Sequence, residues 1–155
     1  MSMTKGLIRK MTGNWSQSPE WEGMRSREYP SSTEYAAVTE NWLIGKAEKA
    51  ENFALRYYRV EAKGFTRKEH HPYDHGIVIL HGQGEVQIGG EKQPFSEGDM
   101  IYIPPDVEHQ LVNTGDGAMG FLCIIPAKRQ KHGEVVWADE KIIFDDQTTS
   151  GGSDD

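Results

Sequence analysis

The sequence has a single cysteine, Cys123, among its 155 residues. One cysteine excludes an internal disulfide and is compatible with a reducing compartment. No apolar run approaches the roughly 20 residues that a membrane span requires. The basic residues near the N-terminus are not followed by the apolar stretch of a secretory signal. We therefore expect a cytoplasmic protein with no membrane partner.

Positive charge is also scarce, since 17 Lys and Arg stand against 24 Asp and Glu, giving a formal net charge of −7. A nucleic-acid-binding domain normally carries a basic face. The basic cluster 128–132 is short, and we interpret it as a solvated loop rather than a phosphate site. We therefore expect no nucleic-acid partner, and the length favours a single domain.

Convincing helical periodicity is missing as well. Short apolar or aromatic runs are instead separated by glycine and proline, at 42–44, 53–62, 77–81, 85–88, 91–94, 99–103, 109–113 and 120–125. Gly89-Gly90 between two of these runs predicts a two-residue hairpin. Short strands at near-regular spacing predict an antiparallel all-β sandwich or barrel. A late strand or short helix is possible within 135–144.

The ends of the chain differ from this central pattern. Residues 1–35 are polar and lack periodicity, and we expect Trp15 and Trp21 to pin this N-terminal arm onto the body or onto a second subunit. Residues 36–144 form the predicted barrel domain. The acidic tail 145–155 offers nothing to bury and is expected to be disordered.

Histidines concentrate in the stretch 69–75. If the flanking segments are strands, Glu69 and His71 point to one face and His70 points to the other. His75 then lies at the start of the next strand, across a tight corner. Two imidazoles and a carboxylate that converge in this way suit a transition metal. Surface histidines beside a turn are the alternative.

Two spaced patterns extend this stretch, namely Gly64-x4-Glu69-x-His71-x3-His75-x6-Gly82 and Gly98-x5-Pro104-x-Asp106-x2-His109-x3-Asn113. Together they resemble the two barrel motifs of the cupin superfamily, whose fold is a double-sheet jelly roll. The resemblance covers about residues 40–127. It is closest to small single-domain cupins whose metal is held by four histidines, through the stretches 43–45, 52–56 and 121–126. It implies an all-β cupin double-stranded β-helix preceded by the N-terminal arm.

The chain departs from the family pattern at three positions. Glu69 stands where the first histidine of the family falls, and His75 stands where its glutamate falls. Asp106 replaces a turn glycine, and aspartate tolerates the left-handed conformation that such a turn needs. The implied metal ligands are Glu69, His71, His75 and His109. Glu69 could instead hydrogen-bond to a bound water, or His70 could take its place, although strand parity disfavours His70.

The resemblance implies one divalent transition metal ion as cofactor: Fe, Mn, Ni, Cu or Zn. The intrinsic affinity order does not decide among these metals. Three histidines and one glutamate leave about two positions open on an octahedral ion, as chemistry at the metal requires. A closed structural zinc site would more often use cysteines.

Five further residues are candidates for binding the substrate. Ile79 should share the inward face of the strand that His75 begins, as should Ile77, and both should give the cavity apolar walls. The resemblance places Phe121 and Cys123 near the metal, although Cys123 could be a small buried hydrophobe. It also favours Arg56 as a ligand for an anionic group, with a surface ion pair as the alternative. Tyr73 would cover the mouth of the site or be an exposed turn aromatic.

The resulting functional hypothesis is a metalloenzyme, dioxygenase-like, that acts on a small oxygenated organic molecule. Glu69 would then be both a ligand and the catalytic proton acceptor. The alternatives are a non-redox isomerase or lyase for a sugar-like acid and a non-catalytic binding or sensor module. We expect His81 and His132 to be surface histidines. We also expect a homodimer, because open jelly rolls expose sheet edges.

Overall fold

The computed structural model describes residues 6–29, 31–32 and 36–141. These ranges contain eleven strands, β1 to β11 in chain order: Arg25–Tyr29, Ala36–Ile44, Phe53–Phe65, His75–His81, Gln83–Ile88, Glu91–Ser96, Met100–Ile103, His109–Asn113, Met119–Pro126, Lys128–Lys131 and Glu134–Trp137. Two short 3-10 helices, Lys46–Glu48 and Ala138–Lys141, are the only helices in these ranges. The all-β prediction is confirmed.

Nine strands form one curled antiparallel sheet. Its strands follow the order β6-β5-β8-β3-β9-β4-β7, and β2 pairs with both β3 and β1. β10 and β11 form a separate hairpin. In the hairpin of β5 and β6, Ile88 lies opposite Glu91, which leaves only Gly89-Gly90 as the loop. Gly89 has φ 62°, a left-handed value that glycine adopts without strain, and the predicted two-residue turn is confirmed.

Along the central strands, side chains point alternately to a buried inner face and to a more exposed outer face of the sheet. On β9, Phe121, Cys123 and Ile125 are buried, whereas Ile124 is 44% exposed. Across the sheet, Cys123 lies opposite Arg56 of β3 on one side and opposite Ile77 of β4 on the other. Residues in such a row face the same side of a sheet, and this inner face carries the core and the site described below.

The second strand, Ala36–Ile44, is longer than the predicted 42–44. The sequence does not reveal its full length because polar residues in its middle are buried. Glu40 and Asn41 are both buried, and the Asn41 amide donates to the Tyr57 carbonyl oxygen at 3.0 Å. Hydrogen bonds of this kind allow a strand to bury polar side chains.

The predicted arm adds a strand to the sheet and packs against it. β1 pairs with β2 along its whole length, with Arg27 opposite Glu40. The Trp21 ring lies 5.7 Å from the Tyr57 ring on the outer face. The arm is thus held onto the body of the same chain, one of the two outcomes expected for its tryptophans.

The prediction that His81 is a surface histidine is wrong. His81 is 1% exposed, its Nε2 lies 2.6 Å from the Tyr57 hydroxyl, and its Nδ1 lies 3.3 Å from the Ala118 carbonyl. Burial raises the pKa of Tyr57 to about 12 and lowers the pKa of His81. A Cβ at position 120 would lie 2.1 Å from His81 Nε2, so Gly120 makes room for this pair. His132 is exposed, as expected.

The structure describes only part of the C-terminal segment, 135–155, for which the sequence makes predictions. β11 and the 3-10 helix that follows it occupy most of the segment predicted as a late strand or short helix. Residues 142–155, including the tail predicted to be disordered, lie outside the described part. Among the described residues, no helix combines the length and the apolar character needed to cross a membrane.

Candidate metal centre

Three histidines from the two sequence motifs meet on the inner face of the sheet. His71 precedes the corner, His75 begins β4 and His109 begins β8. All three are buried, and one ring nitrogen from each lies within 4.8 Å of the other two. The convergence of the two distant segments, which the resemblance to the cupin motifs implies, is therefore present.

Backbone hydrogen bonds between the two motifs hold these histidines together. Glu69 and His109 exchange a pair of bonds, with N···O distances of 3.1 and 2.9 Å. The Asp106 N–H donates to the His71 carbonyl oxygen at 2.7 Å. Asp106 has φ 65°, so it adopts the left-handed conformation that the motif needs. The backbone thus holds the segments that carry the three histidines against each other.

Backbone carbonyl oxygens determine which ring nitrogen carries the proton in His71 and His109. His71 Nδ1 lies 2.9 Å from the Tyr73 carbonyl oxygen, and His109 Nδ1 lies 2.8 Å from that of Val107. A carbonyl oxygen only accepts, so each Nδ1 carries the proton and each Nε2 presents a lone pair. This orientation by a backbone acceptor is typical of metal-binding histidines.

His75 has a different partner. Its Nδ1 lies 3.1 Å from Cys123 Sγ, and its Nε2 lies 2.6 Å from His71 Nε2. Burial, together with the Arg56 guanidinium, lowers the pKa of His75 well below its usual value, which favours the neutral imidazole that binds metals. With a lone pair on His71 Nε2, the separation of 2.6 Å fits a hydrogen bond donated by His75 Nε2–H, and a bound ion would replace this proton. This donor set fits a transition metal.

Cys123 is therefore expected to tune the affinity for metal. Its sulfur can accept from His75 Nδ1–H when both Nε2 atoms bind an ion, so Cys123→Ala should weaken metal binding about tenfold, as loss of such orienting partners does. Cys123→Ser keeps an acceptor and should retain most of the affinity. Competition with a chromophoric chelator measures both constants. Equal affinity of the alanine variant and the original protein would contradict the orienting role.

The predicted fourth ligand, Glu69, lines a cavity beside the three histidines. Glu69 is half-buried and borders the cavity together with His75 and His109. The cluster of possible ligand atoms within 4.8 Å of one another comes from His71, His75 and His109, and Glu69 is not part of it. Direct ligation by Glu69, and its catalytic role, therefore stay predictions. His70 is not among the described residues that line the cavity.

The cavity beside the histidines has a volume of about 110 Å³. Of the predicted substrate-binding residues, Arg56, Tyr73, Phe121 and Cys123 line it. Ile79 belongs to the buried core instead, while Ile77, two residues earlier, borders the cavity. Their roles in binding a substrate stay predictions.

A buried polar network forms the inner wall of the cavity. Arg56 Nη1 donates to Glu40 Oε2 at 3.0 Å and to the Tyr58 hydroxyl at 2.6 Å, and its Nη2 lies 3.1 Å from Cys123 Sγ. Tyr58 and the Trp42 indole also donate to Glu40. Arg56 is thus paired within the wall. Sequence reasoning missed Glu40, because its burial depends on Arg56 and Tyr58 of another strand, which no local pattern indicates.

Comparisons with known proteins agree with this architecture. The profile of the cupin domain family (Cupin_2) matches residues 56–125. The chain is 32% identical over 106 residues to 1-methylthio-D-xylulose 5-phosphate methylsulfurylase of Rhodospirillum rubrum, an alignment that covers 68% of this chain and 63% of that protein. The chain thus spans less than two thirds of that relative's length.

Two further proteins extend the comparison. Over 138 residues the chain is 30% identical to glucose-6-phosphate isomerase of Pyrococcus horikoshii, covering 79% of this chain and 71% of the isomerase. The crystal structure of a cupin 2 conserved barrel domain protein from Rhodopseudomonas palustris superposes with a TM-score of 0.71 at 23% identity, covering 88% of this chain and 91% of that one. This superposition identifies the curled sheet as a jelly roll. By motifs, fold and sequence relatives, the chain belongs to the cupin superfamily.

Proposed function

We propose that this cupin is a divalent-metal-dependent enzyme that catalyses a non-redox rearrangement, an isomerisation or an elimination, on a small polyhydroxylated carbonyl compound. The observation that carries the proposal is the convergence of three buried imidazoles, with their Nδ1 atoms held by hydrogen-bond partners, beside a cavity. A purely structural site would not need such a cavity.

The bound ion would supply Lewis acidity that polarises a substrate carbonyl. His71, His75 and His109 would hold it, and the backbone bonds between the motifs keep them in place before it binds. Glu69 is the proposed proton acceptor, because the other carboxylate among the described cavity-lining residues, Glu40, is paired with Arg56. The apolar side chains of Ile77 and Phe121 would exclude water from the proton transfer to Glu69.

The names of the relatives support a sugar-like substrate, and the name of the isomerase supports non-redox chemistry. The methylsulfurylase and the glucose-6-phosphate isomerase are both named for phosphorylated sugars. The dioxygenase chemistry predicted from the sequence is the second candidate, favoured by the same donor set, because imidazole and carboxylate ligands with open positions also suit Fe(II). The homodimer stays a prediction, supported by Met100 and Tyr102, which are 75% and 56% exposed on the edge strand β7.

Exchange of a substrate hydrogen with solvent distinguishes the non-redox enzyme from the dioxygenase. The protein loaded in turn with Mn²⁺, Fe²⁺, Ni²⁺ or Zn²⁺ is incubated in D₂O with a panel of ketoses and ketose phosphates. NMR then follows loss of the hydrogen next to the carbonyl, while an electrode follows O₂. We expect deuterium incorporation without O₂ uptake, and Glu69→Gln should slow incorporation about 10²-fold, as loss of a general base does.

Metal analysis of each sample is the internal control. If Glu69→Gln loses both metal and exchange, Glu69 acts as a ligand, whereas retained metal with slow exchange identifies a base. Uptake of O₂ by the Fe²⁺ form with any compound of the panel would favour the dioxygenase. Absence of metal binding in the unmodified protein would refute both.

A further inference from the structure

A buried histidine outside the metal centre is paired with a tyrosine on the outer face of the sheet. His81 and Tyr57 are 1% and 2% exposed, and His81 Nε2 lies 2.6 Å from the Tyr57 hydroxyl. The other ring nitrogen, Nδ1, lies 3.3 Å from the Ala118 carbonyl oxygen. Because a carbonyl oxygen only accepts, Nδ1 carries the proton, and the Tyr57 hydroxyl donates to the Nε2 lone pair. The neutral form of His81 therefore satisfies both ring nitrogens and the tyrosine proton.

An irregularity in β4 brings this histidine to the outer face. The pairing of β4 with β9 shifts register between Ile79, which belongs to the core, and His81, which lies opposite Gly120. Arg59 of β3 lies opposite Gly120 on its other side, so the three positions form one row on one face. A Cβ at position 120 would collide with both His81 Nε2 and the Tyr57 hydroxyl. Glycine thus leaves the space in which the two rings meet.

Residues 6–24 of the N-terminal arm cover the tyrosine of this pair. The Trp21 ring lies 5.7 Å from the Tyr57 ring, and Trp21 and Met24 pack against the small cluster of buried side chains that contains Tyr57. Arg59 Nη1 donates to the Gln17 carbonyl oxygen. The burial of the pair therefore depends in part on the docked arm.

The groups that influence the charge of His81 come from several neighbouring elements. Burial is the largest effect and lowers the pKa of His81, and the Arg59 guanidinium on β3 also lowers it. The Ala118 carbonyl before β9, Glu97 between β6 and β7, and Glu61 on β3 raise the pKa. The lowering effects prevail, so the docked structure favours the neutral imidazole.

Protonation of His81 would place a second N–H donor opposite the Tyr57 hydroxyl. Burial raises the pKa of Tyr57 to about 12, so this hydroxyl keeps its own proton in acid and at neutral pH. It would have to turn that proton away from Nε2, and the side chains that the arm packs around Tyr57 are apolar. A buried donor without an acceptor costs free energy. This cost disappears once the arm lifts and water reaches the pair.

We propose that His81 and Tyr57 form an acid-sensitive latch, in which the neutral pair holds residues 6–24 against the sheet and protonation of His81 releases them. The latch is independent of the proposed function, because neither residue is among the described residues that line the cavity.

The direction of the pH effect follows from the two states of the arm. With the arm released, His81 should bind its proton with the ordinary pKa of about 6.5, which is above its pKa in the docked state. Above this pH both states are neutral, and docking is at its strongest. Below it, the ratio of docked to released arm should fall about tenfold per pH unit, until the lower pKa of the docked state is reached.

Amide hydrogen exchange of the full chain, followed by NMR, tests the latch. The reporters are the Thr12 and Glu22 N–H groups, which donate to carbonyl oxygens within the arm at 2.7 and 3.0 Å and should exchange when the arm lifts. After correction for the intrinsic rate at each pH, their protection should fall about tenfold per pH unit below about pH 6.5. In His81→Gln, whose side chain does not titrate, protection should not depend on pH in this range.

Two further variants serve as controls. His132→Gln replaces an exposed histidine between β10 and β11 and should show the same loss of protection as the unmodified chain. His109→Gln removes a histidine of the metal centre and should also show it, which separates the latch from any titration there. His81→Asn takes the place of His81→Gln if that variant does not fold.

Four results would each overturn the latch. The first three are arm protection that does not change with pH in the unmodified chain, the same loss in His81→Gln, and an equal loss at the amides of β9, which would report opening of the whole sheet. The fourth requires no variant. It is an NMR titration of the His81 ring in the unmodified chain whose midpoint is at or above the ordinary value of about 6.5.

Discussion

Replacing His109 by alanine is expected to abolish stoichiometric binding of a divalent metal. His109 is the one histidine of the centre that the second motif provides, and its Nε2 lone pair is directed by the Val107 carbonyl. Its loss leaves two imidazoles, too few for a tight site without further ligands. Elemental analysis after dialysis against each metal measures the change. Added metal should also stop raising the melting temperature, because a ligand stabilises only a fold that binds it.

His70→Ala provides the matched control, because it removes the neighbouring histidine of the same motif. His70 does not line the described cavity, so this variant should retain nearly full metal content. His132→Ala, at an exposed position of the hairpin, should do the same. An equal loss of metal in His70→Ala and His109→Ala would mean that the assigned strand parity, and with it the ligand set, is wrong.

Replacing Glu40 by alanine is expected to destabilise the fold by about 3–5 kcal/mol, the usual cost of leaving a buried charge without its partner. Glu40 is 1% exposed and Arg56 is 8% exposed, and Tyr58 and Trp42 would lose their acceptor as well. At about 2–4 °C per kcal/mol for a chain of this size, the melting temperature should fall by roughly 10 °C. Urea unfolding monitored by tryptophan fluorescence gives the free energy directly.

The Arg59–Glu61 pair on the outer face is a suitable comparison. Its N···O distance is 2.7 Å, but the Glu61 side chain is 52% exposed, so Glu61→Ala should cost less than about 1 kcal/mol. A double variant, Glu40→Met with Arg56→Met, should be more stable than Glu40→Ala, because no unpaired charge remains inside. Equal costs for Glu40→Ala and Glu61→Ala would show that the buried network contributes little to stability.

Local patterns in the sequence were sufficient for several features. Gly89-Gly90 predicted a hairpin because two-residue loops require backbone conformations that glycine adopts easily. The resemblance of the two spaced motifs to those of the cupin superfamily implied that His71, His75 and His109 lie together. Asp106 in the left-handed conformation followed from the tolerance of aspartate for it.

Features that depend on contacts between distant segments could not be predicted from the sequence. Glu40 and His81 are polar residues whose burial depends on partners far along the chain, at Arg56 and Tyr57. Three arginines that border the cavity, Arg27, Arg67 and Arg129, come from three separate segments, and Arg27 lies in an arm without periodicity. No local pattern in the sequence indicates that such residues share one cavity.

The pairing of β1 with β2 has a practical consequence for work on this protein. Arg27 and Tyr29 belong to that strand and also border the cavity. A shortened version that starts at residue 36 would keep every histidine of the centre, yet it would leave one flank of the binding chamber open to solvent. Metal uptake by such a version would therefore say little about its ability to recognise a substrate.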